Sequence, residues 1–470
     1  MSEVRSIAEL PGPRGLPLIG NAHQLMPVSR IHATAERWAR TYGQIARVDV
    51  GRRRIVGIAD ADVINMILRD RPDGFRRWSE QEVIFDELGM GGVFTAEGEQ
   101  WRRQRRLVVT ALNTNHLHRY FHVVRTSVER LHRALRQAAH MGVSLEIGKQ
   151  LTSYAVDTTS ALAFGHDLNT LERGENTLQG HIQHTFGMLA RRLAAPVPYW
   201  RWVKLPADRA LDRSLAALHE AVEGFIAQAR ARIAERPELL QAPENFLEGM
   251  IAAQQIDGSF TDREIVGNTL LLLFAGEDTT AHTLAWTIWL LARHRDVQAR
   301  LAAEADEALG RERFPREHET VASLDYCEAV LREAMRIKSV APMALLQPLA
   351  DTTICDTHIP AGTRLILLLR HAALGEREND FEPERWLGDG NSDPKSLTFG
   401  AGPRFCPGRN LAFLEAKSAL AMIARNFEIE LDETRGPVRE HFGFTMTPKG
   451  LRVRLRERAS QRSIPVGATG

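Results

Sequence analysis

Cysteine is scarce in this chain, with three in 470 residues and none in a C-x-x-C pair. So small a set builds no disulfide framework, and it points to a reducing, cytoplasmic setting. A surplus of either charge is also missing. Sixty basic residues face 59 acidic ones, without the basic excess of a dedicated nucleic-acid binder. No apolar run approaches the ~18 residues of a membrane span; the densest is "TLLLLFAG", Thr269 to Gly276. The N-terminal stretch has no apolar core of signal-peptide length. A soluble protein with no anchor and no export signal is expected. A P-loop, a serine-hydrolase elbow and internal repeats are lacking as well. His116, His118 and His282 have no second ligand at zinc-like spacing, so they read as structural or surface residues. Gly400-Ala401-Gly402 opens like a dinucleotide loop. Phe405 then stands where the third glycine belongs, and no strand–loop–helix unit surrounds it.

What is present is mostly helical pattern. Prolines 11, 13 and 17 predict an extended segment over residues 1–27. Residues 44–58 alternate around Gly51 and predict a hairpin. Helical spacing dominates from about Asp60 to Gly310. Residues 339–369 are β-rich, and "FEIEL" and "LRVRLRER" predict two late strands. Residues 457–470 read as a flexible tail. A mainly α chain with small peripheral sheets, in one domain over 1–470, is the expectation.

One helix stands out. Thr261 and Glu264 form a capping box, and the apolar pattern runs on to about Ala292, roughly 45 Å at 1.5 Å per residue. It is apolar all round from Leu270 to Ala275, so it should cross the core. Into it the sequence sets "AGEDTTAHT", Ala275 to Thr283. Ala275, Gly276 and Thr279 share a face on which a flat ligand could approach the backbone. Thr279 can bond back to the carbonyl four residues earlier, and an acid beside it could exchange protons. A kinked helix with solvated charges is the plainer alternative.

Three further patterns carry charge. Glu333 and Arg336 are spaced i, i+3 on a helix, as in many surface pairs. Arg385 in "FEPERW" could join them. Trp101 and Arg105 in "WRRQRRL" share a helix face. They form either a solvated basic face or an anion clamp in which indole and guanidinium donate together. Last comes "FGAGPRFCPGRN", Phe399 to Asn410. Helical pattern follows Cys406, and Pro407 suits a first helical turn, so Cys406 should sit near a helix N-terminus that favours thiolate. A nucleophile wants an adjacent base, and none is local. One axial thiolate on haem iron fits best.

Together these segments resemble the cytochrome P450 family, in its soluble bacterial type. F-x-x-G-x-R-x-C-x-G matches as Phe399, Gly402, Arg404, Cys406 and Gly408. A-G-x-[D/E]-T-T matches as Ala275, Gly276, Asp278, Thr279 and Thr280. E-x-x-R, P-E-R-[F/W] and W-x-x-x-R match as Glu333/Arg336, Pro383–Trp386 and Trp101/Arg105. The resemblance implies a monomeric monooxygenase that holds haem b and uses O2 to oxidise a hydrophobic small molecule. Its electrons would come from a ferredoxin or flavodoxin with its NAD(P)H reductase, and it would bind no nucleic acid. A peroxide-driven peroxygenase or isomerase, or a haem sensor, is the alternative. Cys406 would be the axial thiolate and Phe399 its shield. Trp101, Arg105 and Arg404 would hold the propionates, with Ala275 and Gly408 against the cofactor. Asp278 and Thr279 would deliver protons. Glu333, Arg336 and Arg385 would form a structural network.

Two departures stand out. No arginine follows Pro342 where relatives place a further propionate partner, which turns attention to Gln347 and His371. The stretch before "FEPERW" is short. Pocket walls are expected from Phe75–Gln100, Met188–Leu205, Phe274–Thr279, Val340–Leu346 and Phe442–Met446. Arginines 76, 77, 191 and 192 read as solvated surface, or as a greeting for a carboxylate.

Overall fold

The computed structural model describes residues 4–51, 53–173, 177–195, 197–375, 380–388 and 396–458. The central helix starts at its capping box. The Thr261 N–H donates to Glu264 Oε2 at 2.9 Å, the Glu264 N–H donates to Thr261 Oγ1 at 3.2 Å, and the helix runs Asp262–Arg293. Its apolar stretch is buried, including Leu270, Leu273 and Phe274. Helices Ile147–Phe164, Pro206–Glu235, Asp325–Ile337 and Arg409–Asn426 pack around it. Burial on several sides is what an all-round apolar helix requires.

The fold is mainly helical with small sheets. The largest sheet has five strands in the order Ile45–Val50, Arg53–Ile58, Arg364–Leu367, Ala344–Pro348, Phe75–Arg77. Its first two strands are the hairpin expected around Gly51, whose φ is +59°. The second lies parallel to Arg364–Leu367, and the other pairings are antiparallel. The outermost strand places Arg77 opposite Leu346 and Arg76 opposite Gln347. The two late strands, Phe427–Leu431 and Val453–Glu457, pair with each other. A separate hairpin, Arg439–Phe442 with Met446–Lys449, carries Phe444 at its turn.

Two details differ from the sequence reading. The proline-rich N-terminal segment is broken by short 3₁₀ turns at Ile7–Glu9 and Ala22–Leu25. Glu457 still belongs to a strand, paired with Phe427; the rest of the expected tail lies, beyond Arg458, outside the described residues. So do residues 376–379 of the shortened stretch before Phe381.

Candidate active site

Cys406 lies in a loop that its glycines shape. Gly402 has φ +67°, and a Cβ there would come 2.6 Å from the Arg69 Cα. No other residue suits both demands. The Cys406 N–H donates to the Phe399 carbonyl at 2.8 Å, and the Phe399 ring packs on Phe413 with centroids 5.4 Å apart. The following helix begins only at Arg409, with Gly408 as its N-cap. Pro407 therefore stands outside the first helical turn where sequence placed it. Burial pushes the Cys406 thiol above its ordinary pKa, against the pull of the Gly408 N–H and of Arg105. The stabilisation expected from a helix end is too weak to win, because the thiol sits two residues ahead of the cap.

Around this loop the structure gathers guanidinium groups. Arg404 donates to the Ala96 carbonyl at 2.7 Å, pairs with Glu97, and lies 4.5 Å over the Trp101 ring. Trp101 and Arg105 are both buried, so they form no solvated basic face. Arg105 donates to the Phe405 carbonyl at 2.6 Å.

One member, Arg71, was not singled out from sequence, and a second, Arg77, was read there as solvated surface or a greeting for a carboxylate. Arg71 is buried, with Nε and Nη2 lacking any partner. Arg77 is half-buried, donates to the Phe94 carbonyl at 2.8 Å, and lies 3.6 Å over the Phe94 ring. Its backbone N–H donates to Glu97 at 3.2 Å. The solvated-surface reading of Arg77 fails because its strand pairs edge-on with Ala344–Pro348 and turns it inward. Burial and mutual repulsion depress these cations: Arg71 and Arg404 fall to about 10, and Arg77 is pushed well down. Arg71, Arg77 and Arg404 thus share the Glu97 carboxylate, with Arg105 close by, and the Arg404 Nε is buried without a partner. Buried cations with unmade hydrogen bonds are costly. A cofactor bearing two carboxylates would supply the missing anions, so the residues present fit haem. Gln347 is engaged elsewhere, accepting from the Ser79 N–H at 3.2 Å. His371 is half-buried in the short helix Leu369–Leu374.

On the central helix, Ala275 is exposed and Gly276, Asp278 and Thr279 are half-buried, whereas Leu273 and Phe274 just before them are buried. The Thr279 hydroxyl donates to the Ala275 carbonyl at 2.8 Å, the back-bond expected from its type. Gly276 has a different purpose from the one read in sequence. A Cβ there would meet Thr159 Oγ1 at 2.3 Å, so glycine allows helix Ile147–Phe164 to approach closely rather than a ligand. Asp278 pairs with His282 Nδ1 at 3.1 Å and accepts from the Thr445 hydroxyl. Burial raises its pKa, but His282 and Thr445 outweigh this and hold it below the ordinary carboxylate value. His282, read from sequence as structural or surface, is therefore this acid's partner.

Next to Asp278, Glu277 is buried with both carboxylate oxygens unpartnered, and burial pushes its pKa well up. Glu415, buried on helix Arg409–Asn426, is pushed up to about 8 by burial despite a hydrogen bond from Thr280. Of the two, the Glu415 carboxyl, at about 8, keeps its proton at neutral pH.

Five phenylalanines from separate segments cluster near this helix. Phe186 meets Phe274 edge-on at 4.7 Å and Phe444 at 5.7 Å, while Phe85 lies 5.4 Å from Phe94 and 5.9 Å from Phe444. The expected wall at Met188–Leu205 is only partly turned inward. Trp202 is 73% exposed. Arg192 is buried, with its guanidinium 3.6 Å from Asp208, so it is not solvated surface either.

Glu333 and Arg336 are fully buried and bidentate, at 2.8 and 2.9 Å. Arg385 Nε and the Trp386 indole also donate to Glu333, at 3.0 and 2.8 Å. A surface pair at i, i+3 is excluded here.

Comparison with known proteins follows the same line. The family model for cytochrome P450 matches residues 10–455. The chain is 29% identical over 456 residues to the mitochondrial 25-hydroxyvitamin D-1 alpha hydroxylase of Mus musculus, covering 91% of this chain and 88% of that protein. It is 26% identical over 447 residues to the chloroplastic LUTEIN DEFICIENT 5 protein of Arabidopsis thaliana, covering 90% and 74%. It is 24% identical over 483 residues to the chloroplastic cytochrome P450 97B2 of Glycine max, covering 90% and 83%.

These relatives overturn the cytoplasmic assignment, since their names point to mitochondria and chloroplasts. They lend no support to a bacterial type. Three free cysteines do not give an address. Among the described residues no helix is long and apolar enough to cross a membrane. With a family model that matches residues 10–455, and with buried, unpartnered nitrogens on Arg71 and on Arg404 of the cysteine loop, this chain belongs to the cytochrome P450 family and is a monooxygenase.

Proposed function

We propose that the whole chain forms one haem b domain and hydroxylates a hydrophobic carbon skeleton of sterol or terpenoid type. The observation that carries this reading is the surplus of guanidinium groups beside Cys406. Arg71, Arg77, Arg105 and Arg404, with the Trp101 indole, would hold two propionates, and Cys406 would ligate the iron. Gly408 keeps that side free of bulk and Phe399 shields it. When bound, haem supplies dioxygen activation, which thiolate ligation favours.

The chain's own residues do the rest. Ala275 leaves room over the central helix. Phe85, Phe94, Phe186, Phe274 and Phe444 offer an apolar surface, where a flat or polycyclic substrate would exclude water. Asp278, held by His282 and Thr445, would pass protons toward Thr279. Glu415, beside Thr280, holds a second proton in reserve. Glu333, Arg336 and Arg385 anchor the segment that leads into the cysteine loop. Electrons would come from a ferredoxin or flavodoxin with its NAD(P)H reductase. The hydroxylase name of the mitochondrial relative supports hydroxylation of a secosteroid-like skeleton.

The test is the carbon monoxide difference spectrum of the reduced protein. A red-shifted Soret band of the thiolate type is expected, and a band of the imidazole-ligated type overturns the assignment of Cys406. Turnover of a sterol or terpenoid panel with a surrogate redox chain should exceed turnover with peroxide alone. The reverse order would replace monooxygenase with peroxygenase.

A further inference from the structure

His118 lies on the short helix Thr114–Arg119, while His318 and Glu319 open the helix His318–Ala322, two hundred residues later. Folding brings one ligand atom of each within 4.8 Å of the others. His118 Nε2 stands 2.7 Å from Glu319 Oε1. The two imidazole rings lie 5.1 Å apart, edge to face. We propose that His118, His318 and Glu319 form a site for a divalent transition-metal cation, separate from the haem.

The donor chemistry favours such an ion. Two imidazoles and one carboxylate suit Zn²⁺, with bonds of about 2.0–2.2 Å. Donors on a tetrahedral ion of that bond length sit roughly 3.4 Å apart, so side-chain rotations bring the three within reach. Their backbones are already fixed. Asn113 caps the first helix by accepting from the His116 N–H at 2.9 Å, and Asn410 donates to the Thr114 hydroxyl at 3.4 Å. The second helix is held by Lys417, which donates to the Ala322 carbonyl at 3.3 Å. The His318 ring is further set by Phe121, perpendicular at 6.1 Å.

Charge nearby does not forbid a cation. Lys417 is paired with Glu328 at 3.2 Å. Both helices border Arg409–Asn426, the helix that follows Cys406. A bound ion would therefore staple two surface segments on the cysteine-loop side of the molecule.

The experiment is calorimetric titration of metal-stripped holoprotein with Zn²⁺. One ion per chain is expected, with affinity at least about tenfold weaker in His118→Ala and in Glu319→Gln. His140→Ala is the control, because His140 pairs with Glu457, at 3.2 Å, and is not one of the three ligands, so it should bind as the parent does. Near-ultraviolet circular dichroism matching the parent shows that each variant is folded. Glu319 is exposed enough for its variant to fold even if His118→Ala does not. The proposal is overturned if the parent takes up no Zn²⁺, or if folded Glu319→Gln binds as tightly as the parent.

Discussion

Two buried arginine clusters sit in this molecule, and they differ in one respect. In the first, Glu333 receives hydrogen bonds from Arg336, Arg385, the Trp386 indole and the Glu382 N–H, and Arg336 also reaches the carbonyls of Leu374 and Asp380. Its polar groups satisfy one another. In the second, Arg71, Arg77 and Arg404 share Glu97, Arg105 lies close by, and nitrogens of Arg71 and Arg404 are buried with no partner. A network that closes on itself holds shape. One left with surplus positive charge is suited to binding an anion from outside. The difference separates scaffold from site more sharply than burial does, since both clusters are buried.

The largest expected effect tests the closed network. Glu333→Ala leaves Arg336 and Arg385 without their anion, and breaking a buried pair costs about 3–5 kcal/mol. Thermal unfolding should show this in the apoprotein and the haem-loaded protein alike. If only the loaded form suffers, the two clusters are not different in kind.

The open cluster should behave the opposite way. Arg71→Met removes a buried cation with unmade hydrogen bonds, so the apoprotein should unfold no earlier than the parent. Haem affinity should fall by about 2 kcal/mol, the low end for truncating a buried charge partner, or roughly 30-fold. Competition for haem with apomyoglobin measures it, and an early-unfolding apoprotein with unchanged haem affinity breaks the contrast.

Glu97→Gln sharpens the same point at smaller scale. It removes the carboxylate that pairs with Arg404 and leaves the anion requirement larger. Apoprotein stability should drop by about 1–3 kcal/mol, and saturating haem should recover most of it.

The last prediction concerns pH. Glu415 keeps its proton up to about 8 in the folded protein, whereas an unfolded glutamate loses it near 4.5. A raised carboxyl pKa stabilises the fold fully below 4.5, and that contribution is lost as pH rises from 4.5 to 8. The slope approaches about 1.4 kcal/mol per pH unit within that window. Denaturant midpoints across pH 5–8 should fall more steeply in the parent than in Glu415→Gln, whose amide cannot titrate. Parallel curves would show that Glu415 carries no such shift.

Features set by near neighbours in the chain were legible beforehand. Thr261 and Glu264 are three residues apart, so their capping box needs only local geometry. The Thr279 back-bond spans one helical turn. Glu333 and Arg336 could be paired from spacing, although spacing alone made them a surface pair. Local preference also misled: Pro407 is well suited to a first helical turn, yet the loop around Cys406 delays the helix to Arg409. Gly276 could be placed on a helix face, but which neighbour that face meets depends on how Thr159 packs against it.

The sequence by itself determined the helical class, the capped central helix, the late strand pair and the lone cysteine in its glycine loop. Each depends on periodicity, capping or turn chemistry within a few residues. Only the tertiary structure decided that Arg71 and Arg77 join Arg404 at Glu97, that His282 and Thr445 hold Asp278, and that His118 meets His318 and Glu319. Those groups lie far apart along the chain, and their charges acquire meaning only when packing removes water and brings them within hydrogen-bonding or Coulombic reach.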